Sequence, residues 1–268
     1  MEENERQQRA DRIEERTTPR TPVIYETVRR LGATEMERPA VSLWWSGIAA
    51  GLSISFSLLA EGILALHLPD APWRELVVAL GYPVGFVMVV LARQQLFTEN
   101  TITVVLPVMA EPTPRNLWRA ARLWGIVLAA NLAGTLAAAA LIAFTPAVPP
   151  ELLDSMLDVA RRGMDHEPLE MAFLGVTSGY LMATMVWLIP AAREAQFHVV
   201  VLMTYLIGVG GFAHIVAGSV ESFLLLLTGE LPLQAWFTQF LLPVLPGNIV
   251  GGTVLFALIS YAQVMKEM

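Results

Sequence analysis

His214 ends a glycine-rich stretch, Gly208-Val209-Gly210-Gly211-Phe212-Ala213-His214, inside an otherwise apolar run. An imidazole placed there donates a hydrogen bond to an anion. With an ordinary pKa of about 6.5 it also exchanges a proton near ambient pH. Ionisable groups within membrane segments are functional by default. A second polar interruption, Arg93-Gln94-Gln95-Leu96-Phe97-Thr98-Glu99-Asn100, lies in another apolar run. Thr98 offers one hydroxyl donor and two acceptor lone pairs. Its hydroxyl either hands an anion from backbone amides to His214 or bonds back to its own helix. Arg93, Glu61 and Glu221 fall at one expected depth, toward the outer face. They read either as an outer selectivity filter or as a paired ion cluster that locks helices, because buried charges must be paired. Glu99, beside Thr98, is expected to accept hydrogen bonds from the free amides of a half-helix. Asn100, Asn131 and Asn248 are expected to satisfy broken backbone.

These residues need elements that hold them inside a membrane. Mean hydropathy is +0.55, and 55% of residues are hydrophobic against 15% charged. An ordinary soluble domain carries about 25% charged residues. The pattern predicts an all-α membrane protein with six transmembrane helices, at about residues 40–66, 76–110, 117–144, 169–190, 197–227 and 237–264. A span needs about 20 apolar residues. Residues 76–110 would make a straight helix of about 50 Å, against a hydrocarbon layer of about 30 Å. Spans two and five are therefore broken, at 93–100 and before His214. Non-helical backbone at that depth is tolerated where it is buried in protein or lines a cavity. Residues 151–163 place Leu152, Leu153, Met156, Leu157 and Ala160 at helical spacing between acids, and read as a short surface helix.

Residues 1–38 form a charged cytoplasmic tail, partly disordered or helical, ahead of a transmembrane domain at 39–268. Most basic residues (those of the tail, Arg115, Arg119, Arg122, Arg193 and Lys266) share the side of the two termini, against Arg74, Arg161 and Arg162 opposite. The positive side is cytoplasmic. The net charge of -7 and a pI near 5.2 argue against a nucleic-acid partner. Zero cysteines exclude disulfides, zinc-thiolate sites and iron–sulfur clusters. No metal or cofactor is expected. An enzyme is not expected either, since His-Glu-x-x-His and Gly-x-Ser-x-Gly are missing from the sequence.

The halves echo one another. Phe97 opens one break, and Phe212 stands just before His214 at the other. Asn131-Leu132-Ala133-Gly134 of span three matches Asn248-Ile249-Val250-Gly251 of span six at nearly the same offset. A repeat of three spans must be inverted in the membrane. Inverted 3+3 repeats with paired discontinuous helices are a transport architecture. The pairs Gly47/Gly51, Gly81/Gly85 and Gly247/Gly251 predict close helix packing.

Leu96-Phe97-Thr98, Gly211-Phe212-Ala213-His214, Asn131-Leu132-Ala133-Gly134 and Leu242-Pro243-Val244-Leu245-Pro246-Gly247-Asn248-Ile249-Val250-Gly251-Gly252 resemble the formate/nitrite transporter family. The longer strings at 95–101 and 211–219 are similar to its divergent, YfdC-like branch. The resemblance runs from about residue 40 to 261 and implies a homopentamer with an aquaporin-like path through each protomer. It also implies small monovalent anions or their conjugate acids as substrates, among them formate, nitrite and hydrosulfide. Thr98 and His214 match the family's pore threonine and central histidine, with Phe97 and Phe212 beside them on the path. The chain departs from the family pattern at Arg93-Gln94-Gln95, Ala213, Gly218, Gly179 and Ile207. A pore for a neutral or cationic solute, and a membrane scaffold or sensor acting through the tail, stand as alternatives.

Overall fold

In lipid a chain must satisfy its own backbone, so long apolar runs fold as helices. The computed structural model describes residues 19–267, and the first half of the expected tail lies outside them. Helix α1 (Thr21–Glu37) is followed by α2 (Ala40–His67) and α3 (Arg74–Leu91). After a gap come α4 (Phe97–Thr103) and α5 (Val105–Ala110), then α6 (Pro114–Phe144), α7 (Pro150–Met164) and α8 (Pro168–Ala192). Helix α9 (Gln196–Val209) precedes a second gap, α10 (Ala217–Leu227) and α11 (Leu233–Val264). Prolines open α6, α7 and α8, where an amide would be left over anyway. At α6 the Thr113 hydroxyl accepts the Asn116 amide as a cap, at 3.2 Å.

Among the described residues, five helical stretches are long and apolar enough to cross a membrane: Ala40–His67, Arg74–Leu91, Pro114–Phe144, Pro168–Val209 and Leu233–Val264. Pro168–Val209 joins α8 and α9, which part at Arg193, a residue with φ of 45°. Helix α10 is a shorter apolar helix. Small residues set the closest packing. A Cβ at Gly51 of α2 would strike the Asn131 carbonyl of α6, and one at Gly179 of α8 would strike that of Asn248 in α11.

Part of the expected tail is an ordered helix. Tyr25, Val28 and Met36 of α1 are buried. Tyr25 meets Tyr261 with ring centroids 5.9 Å apart. Arg122 donates to the Met36 and Arg38 carbonyls at 3.1 and 3.0 Å, which ties the end of α1 to α6.

The two gaps are built alike. At the end of α3 the Arg93 amide bonds Val90 O (3.1 Å) and the Gln94 amide bonds Val89 O (3.0 Å). At the end of α9, Gly211 bonds Gly208 O (3.1 Å) and Phe212 bonds Ile207 O (3.0 Å). Both turns need a left-handed residue, Arg93 at φ 52° and Gly211 at φ 62°. The matched positions are thus Arg93 with Gly211 and Leu96 with His214. The echo read from Phe97 and Phe212 was out of register.

Candidate functional site

Each gap is fastened by one asparagine from a neighbouring helix. Asn131 Nδ2 donates to Gln95 O (2.8 Å) and Gly47 O (2.9 Å), and its Oδ1 accepts the Phe97 amide at 2.9 Å. Asn248 Nδ2 donates to Ala213 O and Gly175 O, both at 2.9 Å, and its Oδ1 accepts the Ile215 amide at 2.9 Å. Both asparagines are fully buried. Each satisfies three backbone groups that the missing helical turn leaves over. Asn100 acts differently. Its amide donates to Gln95 Oε1 at 3.2 Å, and its Oδ1 accepts from Thr103 at 3.1 Å. Gln95 in turn donates to Glu35 of α1 at 2.6 Å.

This fastening brings Thr98, in the first turn of α4, against His214, just before α10. Thr98 Oγ1 and His214 Nε2 are 2.8 Å apart, and both residues are buried. The tautomer follows from the other ring nitrogen. His214 Nδ1 receives the amides of Val216 (3.2 Å) and Ala217 (3.1 Å), so it acts as an acceptor. The ring hydrogen then sits on Nε2 and is donated to Thr98 Oγ1. The Thr98 hydroxyl hydrogen remains as a donor, and the back-bonded reading of Thr98 does not hold. Phe86 of α3 stands edge-on to the imidazole, with centroids 5.0 Å apart.

A cavity of about 260 Å³ leads to His214. Glu61, Tyr82, Arg162, Phe212 and Glu221 are among its walls. Phe97 is buried elsewhere, edge-on to Trp124 with centroids 5.8 Å apart. The expected cluster of Arg93, Glu61 and Glu221 does not form. Arg93 is exposed, is not among the cavity's walls and makes no ion pair among the described residues. The Glu61 backbone packs at Gly81, roughly 18 Å of helical rise from Arg93 along α3. The cation near both carboxylates is Arg162 of α7, 3.5 Å from Glu75. Sequence reading had counted Arg162 only as an outside charge, and nothing in α7 alone signals that it faces Glu61. Glu99 also departs from expectation. Its Oε1 is buried without a hydrogen-bond partner, because Asn131 already takes the Phe97 amide.

The sequence profile described as "Formate/nitrite transporter" matches residues 22–262. The chain is 46% identical over 267 residues to "Inner membrane protein YfdC" of Escherichia coli (strain K12), covering 100% of this chain and 86% of that protein. It is 27% identical to "Formate channel FocA" of Haemophilus influenzae, over 81% of this chain and 84% of the other. Among solved structures, a "Pentameric formate channel with formate bound" superposes with a TM-score of 0.71. It shares 21% identity and covers 84% of this chain and 98% of its own. An "FNT family ion channel" gives 0.75 at 20% identity, over 91% and 98%. At such identities the superpositions speak for the fold.

Proposed function

Since the chain belongs to the formate/nitrite transporter family, we propose that it is a transmembrane pore for small monovalent anions that cross together with a proton, as the conjugate weak acid. Its substrates are of the formate, nitrite and hydrosulfide class. It transports and does not catalyse a reaction. Six crossings form an inverted 3+3 repeat, with α3–α4 and α9–α10 as the broken members and both termini cytoplasmic. The protomer works in a homopentamer, and the lipid of a bacterial inner membrane is its other partner. The pentamer and the formate of the superposed channel, and the location named for the E. coli relative, support these assignments.

One observation carries the reading: the Thr98–His214 hydrogen bond, made between two helix interruptions beyond the inner end of a cavity. The free Thr98 hydroxyl hydrogen is a single donor at this contact. A bare anion there would sit in a low-dielectric setting with few donors, at high cost. A neutral acid meets one donor and one acceptor and passes. The test is flux of formate, nitrite and hydrosulfide into liposomes carrying the purified protein, at acidic and at neutral outside pH, so that the supply of protons is the variable. Anion uptake that rises at the lower pH and is lost in His214→Phe is the expected result. Uptake of a monovalent cation instead would favour the second reading, a pore for cationic solutes. That reading has its own support in Glu61 and Glu221, two acids on the cavity wall, and in Glu99, whose Oε1 is buried without a hydrogen-bond partner.

A further inference from the structure

The outer cavity carries more acid than the proposed traffic of anions explains. Charged or titratable groups line it from four helices and two connecting segments: Glu61 from α2, Glu75 and Tyr82 from α3, Arg162 from α7, His166 from the following loop, His214 at the break and Glu221 from α10, while α8 and α9 line it with Met171, Ile207, Gly208 and Val209. Helix α11 contributes the apolar Phe240. Several of these are already engaged. Arg162 lies 3.5 Å from Glu75, and His166 Nδ1 lies 3.2 Å from Glu170. Glu61 and Glu221 have neither an ion pair nor a hydrogen bond among the described residues. Glu61 is only 7% exposed. The Glu221 carboxylate is fitted against α7 so closely that a Cβ at Gly163 would collide with its Oε2. Two carboxylates in one membrane-embedded cavity, with one nearby guanidinium shared with a third acid, are not both stable as bare anions.

His214 is poorly built to give a proton. Its Nδ1 lone pair is occupied by two amides, and its Nε2 hydrogen is directed at Thr98. A second proton on the ring would face two N–H groups. The proton that accompanies an anion therefore enters upstream of His214, where the cavity holds Glu61 and Glu221.

We propose that Glu61 and Glu221 share one proton as a carboxylic acid–carboxylate pair, and that this pair protonates the substrate in the outer cavity before it reaches Thr98 and His214. The inference rests on the weak-acid transport reading. The step balances. The glutamic acid O–H bond breaks, an O–H bond forms on the incoming carboxylate or nitrite oxygen, and the glutamate is left ionised. Hydronium from the outer solution restores it. The neutral acid passes the Thr98 hydroxyl and ionises on the cytoplasmic side, so one anion and one proton enter together. The negative charge of the pair does not bar the anion, because the proton it holds is what the anion collects.

The experiment combines flux with a spectroscopic readout on the purified oligomer. Formate uptake by liposomes is measured against outside pH for wild type, Glu61→Gln and Glu221→Gln. Wild-type uptake rises as pH falls. Each glutamine variant loses about a hundredfold of it, the lower end for removal of a positioned acid, and responds weakly to pH. Infrared difference spectra of the wild-type protein across the same pH range show a protonated-carboxyl band that shifts in D2O and is lost in either variant. Wild-type uptake and pH response in both variants would overturn the proposal. So would wild-type spectra in which all carboxylates stay ionised, whether or not the variants fold. A wild-type protein that shows the band but passes no anion would instead sink the transport reading and leave the shared proton standing.

Discussion

Asn131 and Asn248 each hold three backbone groups at an interruption. Replacing either with alanine leaves those groups unpaired in a dry interior. At about 1 kcal/mol per net hydrogen bond, the expected loss is about 3 kcal/mol. It should appear as a lowered melting temperature in detergent, together with lost flux, because the same bonds seat Thr98 and His214. Arg93 makes the opposite case. It sits at φ 52° in the turn where the second half uses Gly211, and a left-handed non-glycine residue costs about 1–2 kcal/mol. Arg93→Gly is therefore expected to raise or preserve the melting temperature and to leave flux unchanged; a loss of flux would show that the guanidinium matters to the path. The asparagines and the histidine were legible in sequence because polar groups are rare in apolar runs. Phe86 was not, since it lies in a run where every neighbour is apolar and nothing marks the one facing the imidazole. The separation of Arg93 from Glu61 is not legible in sequence, because nothing in either run shows that Glu61 packs at Gly81, more than a helical turn short of the end of α3.

Helix α7 was expected as an amphipathic surface helix, and its spacing does bury Leu152, Met156, Leu157 and Ala160. What the spacing does not tell is what the helix covers. Ser155 donates to Gly62 O of α2 at 2.9 Å, and Met156 fills the space above Gly62. This places Arg162 and Gly163 on the wall of the cavity that leads to His214. The end of α7 is anchored by Arg161, which meets Glu230 at 2.6 and 2.8 Å. The paired Arg161 guanidinium holds the Glu230 carboxyl below its ordinary range. A carboxyl lowered on folding contributes stability above the unfolded value of about 4.3. That contribution fades as pH drops through the lower folded value. The pair is exposed, so the effect is small. Glu230→Gln should lower the melting temperature slightly at neutral pH and make no difference in strong acid. At α1, Gly32 lies so close to Thr103 O that any side chain would collide with it. Gly32→Val is expected to lift α1 away, with limited proteolysis then cutting between α1 and α2.

At the scale of the whole molecule, the outer surface of the helices is apolar. Trp45, Phe144, Leu169, Phe173 and Ile259 are exposed, which suits contact with lipid or a neighbouring protomer. If the protein is a pentamer, its mass in mild detergent by light scattering is five protomers; a monomer would place all of this surface against lipid. The helical fold could be read from hydropathy, because lipid leaves a chain few alternatives; the six expected runs correspond to five long apolar stretches among the described residues and the shorter Ala217–Leu227. The meeting of Thr98 with His214 is implied only by the family resemblance of Leu96-Phe97-Thr98 and Gly211-Phe212-Ala213-His214. It depends on two turns and two asparagines acting from separate helices, and no local pattern spans that distance.

The bond between Thr98 and His214 also has a consequence in time. Its partners are 116 residues apart. A ribosome that has made α1 through α8 has delivered a threonine with no histidine to receive it, and the first interruption has nothing across from it. The contact comes into being only when α9, the second gap and α11 arrive, so the two interruptions can close on each other only after most of the chain has been made.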